Sequence, residues 1–447
     1  MGGRRTKSGK AEPRATRSTR PDPVDVLLRQ EQGRLPWLLP VRHARMAESS
    51  FAYFRGAAAM MAEDLSALPH TGLEVQLCGD AHLMNFGFYA SPERSLVFDI
   101  NDFDETHRGP FDWDIQRLAA SLVVAARSQG FGKKHQELAA RRSVEAYSRA
   151  MAGFAAASAS EVWFTRLDIE GFIARATSRR FRKQLRATAK LARHRDSRRA
   201  VKKLCVAGED RPRQFRHDPP LVWRHAELAP EWRGHMDVES WIGENLSGYL
   251  SSIRPEIRQL LSRFRIADTA LKAVGVGSVG TRCSIGLFLG EAPDDILVLQ
   301  SKEAEPSVLA PHWRVDSPAH QGQRVIEGQR LMQTVSDVFL GWTTAPSGQQ
   351  FYWRHFRDWK CSLEIEDMNA ESLVEYGELC AWVLAKAHAR SGDPRAIAET
   401  LRREKNLAPR FIRFALDYAE VTESDHRALL TAIESGRIEA DEARPAA

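Results

Sequence analysis

Gly79-Asp80-Ala81-His82-Leu83-Met84-Asn85, followed by Asp99-Ile100-Asn101-Asp102-Phe103-Asp104, decides how the rest of the chain is read. Phosphoryl transfer needs one carboxylate to take or orient the acceptor hydroxyl proton, and an amide and a second carboxylate to hold Mg²⁺. Asp80, Asn85 and Asp102 supply those groups, with a hairpin between the amide and the second acid. Acids flanking a strand are commonly only solvated turn residues. The conjunction of acid, amide and downstream helix sets this stretch apart.

Working outward, residues 73–78 read as the strand that delivers the loop, and 86–89 and 95–98 as a hairpin joined by Ser91-Pro92-Glu93-Arg94. The stretch resembles the aminoglycoside phosphotransferase and choline kinase branch of the kinase-like fold. There the loop runs Gly-Asp-x-His-x-x-Asn, and the metal loop runs Asp-Phe-x-Asp, then Gly-Pro, then an Asp opening a helix. Here Asp102-Phe103-Asp104 is followed by Gly109-Pro110 and by Asp114 ahead of Ile115-Gln116-Arg117-Leu118. That register favours Asp102 as the metal ligand. Counting a short hairpin from Asn85 alone points nearer Asp99, which is the second choice.

A second set of motifs lies far downstream. Gly275-Val276-Gly277-Ser278-Val279-Gly280 sits between strand-like segments. A dinucleotide-binding loop of this spacing opens a helix, whereas here strand follows, the context of a glycine-rich hairpin over ATP phosphates. Gly275, Gly277, Ser278 and Gly280 are therefore cofactor-binding candidates. The apolar strand Leu297-Val298-Leu299-Gln300-Ser301-Lys302 carries one cation for the phosphates, and Glu327, on a helical segment over 323–333, is the carboxylate expected to pair with Lys302. His82 reads as a brace for its loop and His388 as structural. Arg45, Arg55 and Arg117 are candidates for recognising an anionic substrate, or for structural ion pairs.

Asp80 precedes Gly275, the reverse of the order in ordinary kinases. The block containing Leu379 and Ala387-His388-Ala389-Arg390 is similar to the helix that normally lies just upstream of the catalytic loop. Together these imply an α+β, protein-kinase-like two-lobed fold in permuted order. The expected divisions are a disordered basic tail over 1–25 and a catalytic large-lobe part over 26–265 with a basic helical insertion at about 175–217. A small β-rich nucleotide-binding lobe over 266–360 and large-lobe helices over 361–447 complete the chain. Arg55-Gly56, Gly79 to Asn85, the Asp102 loop through Trp113-Asp114, Lys302-Glu303-Ala304 and Ala387 to Asp393 closely resemble bacterial domain-of-unknown-function family 2252. That resemblance implies the kinase-like fold and brings no assigned substrate.

Composition is compatible with this reading. The 447 residues suffice for two or three lobes. No apolar run approaches the roughly 20 residues that span a bilayer, and no signal-peptide core follows Met1, so a cytoplasmic protein is expected. Five scattered cysteines without a Cys-x-x-Cys pair argue against a disulfide framework and a zinc site. The net charge of +6 resides in residues 1–20, with a second basic strip over 179–217 holding fifteen Lys/Arg against three acids. The expected function is an ATP- and Mg²⁺- (or Mn²⁺-) dependent phosphotransferase acting on a hydroxyl-bearing small-molecule or protein acceptor. Asp80, Lys302 and Glu327 are its catalytic residues, and Asn85, Asp102 and Asp99 its metal-ligand candidates. The alternatives are nucleotidyl (AMP) transfer on the same fold, or a nucleotide-sensing scaffold whose basic strip binds an acidic partner or, less favoured, nucleic acid.

Overall fold

The computed structural model describes residues 20–441 apart from 195–196, 207–212, 229–237, 274, 293–294, 317 and 357–358, and it shows a mixed α+β chain. Most of the expected basic tail, and part of the basic strip, thus lie outside the described residues. Helix begins at Pro23, with Pro at the first helical position and the Asp22 side chain accepting from the backbone of Val24 and Asp25. Arg20 bridges Asp64 at 2.7 Å and Asp425 at 2.6 Å, so residues 20–25, expected within the tail, are held in place.

Four short strands frame the first motif: β1 (Glu74–Leu77), β2 (Phe86–Ala90), β3 (Leu96–Ile100) and β4 (His107–Pro110). β1 pairs antiparallel with β4, and β2 with β3, which brings Asn85 and Asn101 to the open end of the hairpin. The chain then enters the helix Phe111–Ser128, buried at every position from Phe111 to Ala126. A helix enclosed all round must pair its polar side chains internally. Lys133–Ala156 and the C-terminal helices Ala370–Ser391 and Leu407–Glu434 pack around it, so the two ends of the chain share one core.

Residues 179–204 form the helices Arg179–Arg193 and Ser197–Leu204. In the first, Phe181, Leu185, Ala189 and Ala192 are buried at helical spacing while its Lys and Arg face outward, the pattern of a solvated amphipathic helix. A two-stranded pair, β5 (Cys205–Val206) and β6 (Gln214–Phe215), follows.

The remaining strands are β7 (Val222–Arg224), β8 (Arg265–Lys272), β9 (Cys283–Leu289), β10 (Ile296–Glu303), β11 (Gly341–Thr344) and β12 (Gln350–His355). They form one six-stranded sheet in the order β11-β12-β10-β9-β8-β7, antiparallel throughout. Alternation assigns its faces. Ile285, Leu287 and Val298 pack with Val201 and Phe215, whereas Leu297, Leu299 and Trp353 pack with Tyr249, Ile253 and Ile257. Both faces are covered, which is why β10 begins as a continuous apolar run. The helix Gln321–Met332 packs on β11, β12, β1 and Ala370–Ser391, and so joins the sheet to the helical part.

Candidate active site

The loop after β1 is shaped by backbone geometry. Gly79 has φ +80°, and a Cβ there would lie 2.0 Å from the Glu105 carbonyl oxygen, so only glycine fits. Asp114, buried in the first turn of Phe111–Ser128, accepts from Cys78 N–H at 2.8 Å and Gly79 N–H at 3.1 Å. His388 Nε2 lies 3.3 Å from the same carboxylate, and its Nδ1 lies 2.8 Å from the Tyr147 hydroxyl. His388 is thus structural, as expected. It ties the C-terminal helical block to the root of the loop.

Asp80 follows. Its Oδ1 takes both Nε and Nη2 of Arg117 at 2.5 Å, and Arg117 lies over the Phe54 ring. His82 Nδ1 accepts from Met84 N–H at 3.2 Å, which places the ring proton on Nε2, 3.6 Å from Asp80 Oδ2. Burial pushes the His82 pKa down to about 4 against the pull of Asp80, so the ring is a neutral brace. Asn85 Nδ2 donates to the Asp80 carbonyl at 2.8 Å, leaving its Oδ1 unengaged among the described residues.

The sheet supplies the opposite wall. Lys302 is paired with Tyr352 and Gln300 with Arg354 across β10 and β12, so all four side chains share one face. Lys302, 2 % exposed, ion-pairs with Asp104, which also accepts from the Tyr352 hydroxyl at 2.6 Å and Ser278 Oγ at 3.3 Å. Burial opposes the lysine charge, but Asp104, Tyr352 and Asp102 together outweigh it and hold Lys302 above the ordinary lysine range. Asp102 forms no salt bridge among the described residues, and its carboxylate accepts only from Asp104 N–H, at 3.4 Å. Burial would raise its pKa, but Lys302, Lys360 and Arg354 around it leave it lowered. Lys360 is itself pushed down to about 7 by burial and by Arg354.

Asp80, Asn85, Asp102, Lys302, Gly275, Gly277 and Ser278 line one cleft of about 840 Å³ between the hairpin and the sheet. Arg45 and Arg55 line it too, whereas Arg117 lies beneath Asp80. The glycine segment departs from the expected simple hairpin: it makes a 3₁₀ turn, Val276–Ser278, between β8 and β9. Gly280, at φ +93°, closes that turn against Arg34 and does not line the cleft.

Two candidates need correction. Glu327 is exposed and accepts from Gln323 Nε2 at 2.7 Å, so the carboxylate on Lys302 is Asp104 instead. Arg324, one turn earlier, is the inward residue, donating to the carbonyls of Asp104 at 2.9 Å and Glu305 at 2.8 Å. Asp99 lies away from the cleft in a buried ion pair with Lys386, and it is not positioned as a metal ligand. Sequence reasoning passed over Asp104, Tyr352, Arg354 and Lys360. Asp104 stood in the quoted motif, and the alternation of β12 could have flagged Tyr352 and Arg354.

A larger open groove of about 1470 Å³, lined by Arg142, Glu378 and Trp382 among others, lies on the helical side and lacks such a conjunction of acid, amide and lysine. No helix among the described residues is long and apolar enough to cross a membrane. Comparison with curated proteins and with solved structures finds no match. A family model described as an uncharacterized protein conserved in bacteria matches residues 34–432, and the chain belongs to that family, DUF2252.

Proposed function

We propose that the chain is an ATP- and Mg²⁺-dependent phosphotransferase, built on a kinase-like two-lobed plan whose parts run in permuted order. One observation carries the reading. An acid, an amide and a second acid within residues 80–102, and a lysine and glycine turn within 275–302, line the same cleft. The permuted order is supported by residues near the two limits of the described chain, since Arg437 Nη2 lies 2.5 Å from Asp25 Oδ1. Ends that adjoin at the surface are what a rearranged order requires.

The residues fit a hard divalent cation. Asn85 Oδ1 and the Asp102 carboxylate are oxygen donors of the kind Mg²⁺ or Mn²⁺ takes, and Mg²⁺ ordinarily keeps waters and phosphate oxygens for its other positions. Among the described residues no group of three His, Cys, Asp or Glu side chains forms a closed metal cage. A bound Mg²⁺ supplies charge neutralisation between the phosphates.

The chain's own groups do the rest. Arg117 occupies Asp80 Oδ1, so Oδ2 is the oxygen left to orient the acceptor hydroxyl. As the acceptor oxygen forms its bond to the γ-phosphorus and the bond to the ADP oxygen breaks, the hydroxyl proton passes to Oδ2. Lys302 and the backbone amides of Gly275 to Gly277 stabilise the negative charge on the phosphates, the Ser278 amide being taken by the Gly275 carbonyl. Asp104 holds Lys302 in place, the role first expected of Glu327.

The test is to incubate the protein with Mg²⁺, ATP and a bacterial metabolite extract, and to follow modified species by mass spectrometry. The expected result is a product bearing one added phosphate that is lost with Asp80→Asn. A product bearing AMP would replace the reading with nucleotidyl transfer. No product, or one that persists in Asp80→Asn, would contradict catalysis at this site.

A further inference from the structure

We propose, building on the phosphotransferase reading, that Arg354 and Lys360 are phosphate-binding side chains and that this end of the cleft selects a triphosphate over a monophosphate. Lys302, Arg354 and Lys360 all line the cleft around Asp102. Among the described residues, the carboxylates that act on all three cations are Asp102 and Asp104. Asp104 is already engaged by Lys302, Tyr352 and Ser278.

Neither of the other two cations has an anion in hydrogen-bond contact among the described residues, although Tyr352, Asp102 and Asp104 outweigh burial and hold Arg354 above the ordinary arginine range. Arg354 uses Nε on the neutral Gln300 amide oxygen at 2.8 Å, and its terminal nitrogens make no hydrogen bond among the described residues. Lys360 Nζ donates to the Asn101 carbonyl at 3.0 Å, and neither side chain forms a salt bridge there. Withdrawing a cation from water without a paired anion costs several kcal/mol. An anion entering between the sheet and the hairpin would relieve that cost.

Position suggests which anion. Arg354 is the diagonal cross-strand neighbour of Lys302 on the same face, and Lys360 Nζ reaches the carbonyl of Asn101, next to Asp102. All three cations act on the Asp102 carboxylate. With a divalent cation on Asn85 and Asp102 the positive charge rises further. A monophosphate, at about −2, leaves much of it unbalanced, whereas a triphosphate does not.

The experiment compares calorimetric affinities for MgATP, MgADP and AMP in wild type, Arg354→Gln, Lys360→Met and Lys360→Arg. Both neutral variants should lose about tenfold or more in MgATP affinity, a loss of about 1.4 kcal/mol or more, while AMP changes by less than about threefold; Lys360→Arg should recover most of the loss. MgATP affinity within about threefold of wild type in both neutral variants would overturn this inference and leave the phosphotransferase reading standing. No binding of any nucleotide by wild type would overturn both. Should a neutral variant not fold, inorganic tripolyphosphate decides on wild type alone. It should raise the melting temperature more than inorganic phosphate does, and equal effects would overturn the inference.

Discussion

Asp99 and Asp102 stand three residues apart in one hairpin and have opposite surroundings. Asp99 is 4 % exposed and ion-paired with Lys386, itself 1 % exposed, whereas Asp102 faces the cleft without a salt bridge among the described residues. Asp99→Asn leaves a buried lysine without its anion and should cost about 3–5 kcal/mol of stability, read as a lower denaturation midpoint, with nucleotide affinity of the folded protein kept. His82 carries a second prediction. An unfolded histidine takes its proton near 6.5, and the folded one only near 4. The stability this provides is complete above about 6.5 and is lost as pH falls towards 4, about 3 kcal/mol in all. The melting temperature should accordingly drop less steeply between those pH values in His82→Gln than in wild type. The motif register favoured Asp102 in sequence, but what takes Asp99 out of the cleft, its pairing with Lys386 far along the chain, left no local signal.

At the scale of elements, patterns were readable and phases were not. The helix Gln321–Met332 and the strands β8, β9, β10 and β12 all fall where apolar periodicity places them. Which residue of that helix turns inward depends on its contacts with β1 and β12. Arg324 and Glu327 are one turn apart, and only Arg324 reaches the site. Arg324→Ala leaves buried carbonyls without a donor and should lower stability by about 3 kcal/mol. Glu327→Ala, at an exposed position, should stay within about 0.5 kcal/mol of wild type, both by chemical denaturation. The glycine turn has a similar history. Its composition was readable, but its 3₁₀ form depends on Val276 packing with Val24, Leu27 and Met46, and on Arg42 donating to the Val276 carbonyl at 3.0 Å. Contacts of such sequence separation leave no local pattern to read.

For the whole molecule, motif order was the legible feature. The reversed positions of Asp80 and Lys302 required two distant segments to meet, and they line one cleft. What the sequence could not disclose was the meeting of residues 20–27 with 425–438, where Val24 and Leu27 pack with Leu429, Ala432 and Ile438 and Arg20 and Arg437 pair with Asp425 and Asp25. That meeting makes a prediction. Joining residue 441 to residue 20 by a flexible linker and reopening the chain in the exposed turn at 262–263 places the six-stranded sheet ahead of residues 74–110, the lobe order that the proposed kinase-like reading takes as ordinary. The rearranged protein should fold with a melting temperature within roughly 5 °C of the parent and retain nucleotide binding. The central claim is tested most directly by titration calorimetry of ATP with and without Mg²⁺ on wild type, Asp102→Asn and Asp80→Asn. The account predicts Mg²⁺-dependent binding by wild type, a loss of about tenfold or more in Asp102→Asn, and near wild-type affinity in Asp80→Asn. Absence of ATP binding by wild type in the presence of Mg²⁺ or Mn²⁺, or equal affinity in wild type and Asp102→Asn, would contradict it.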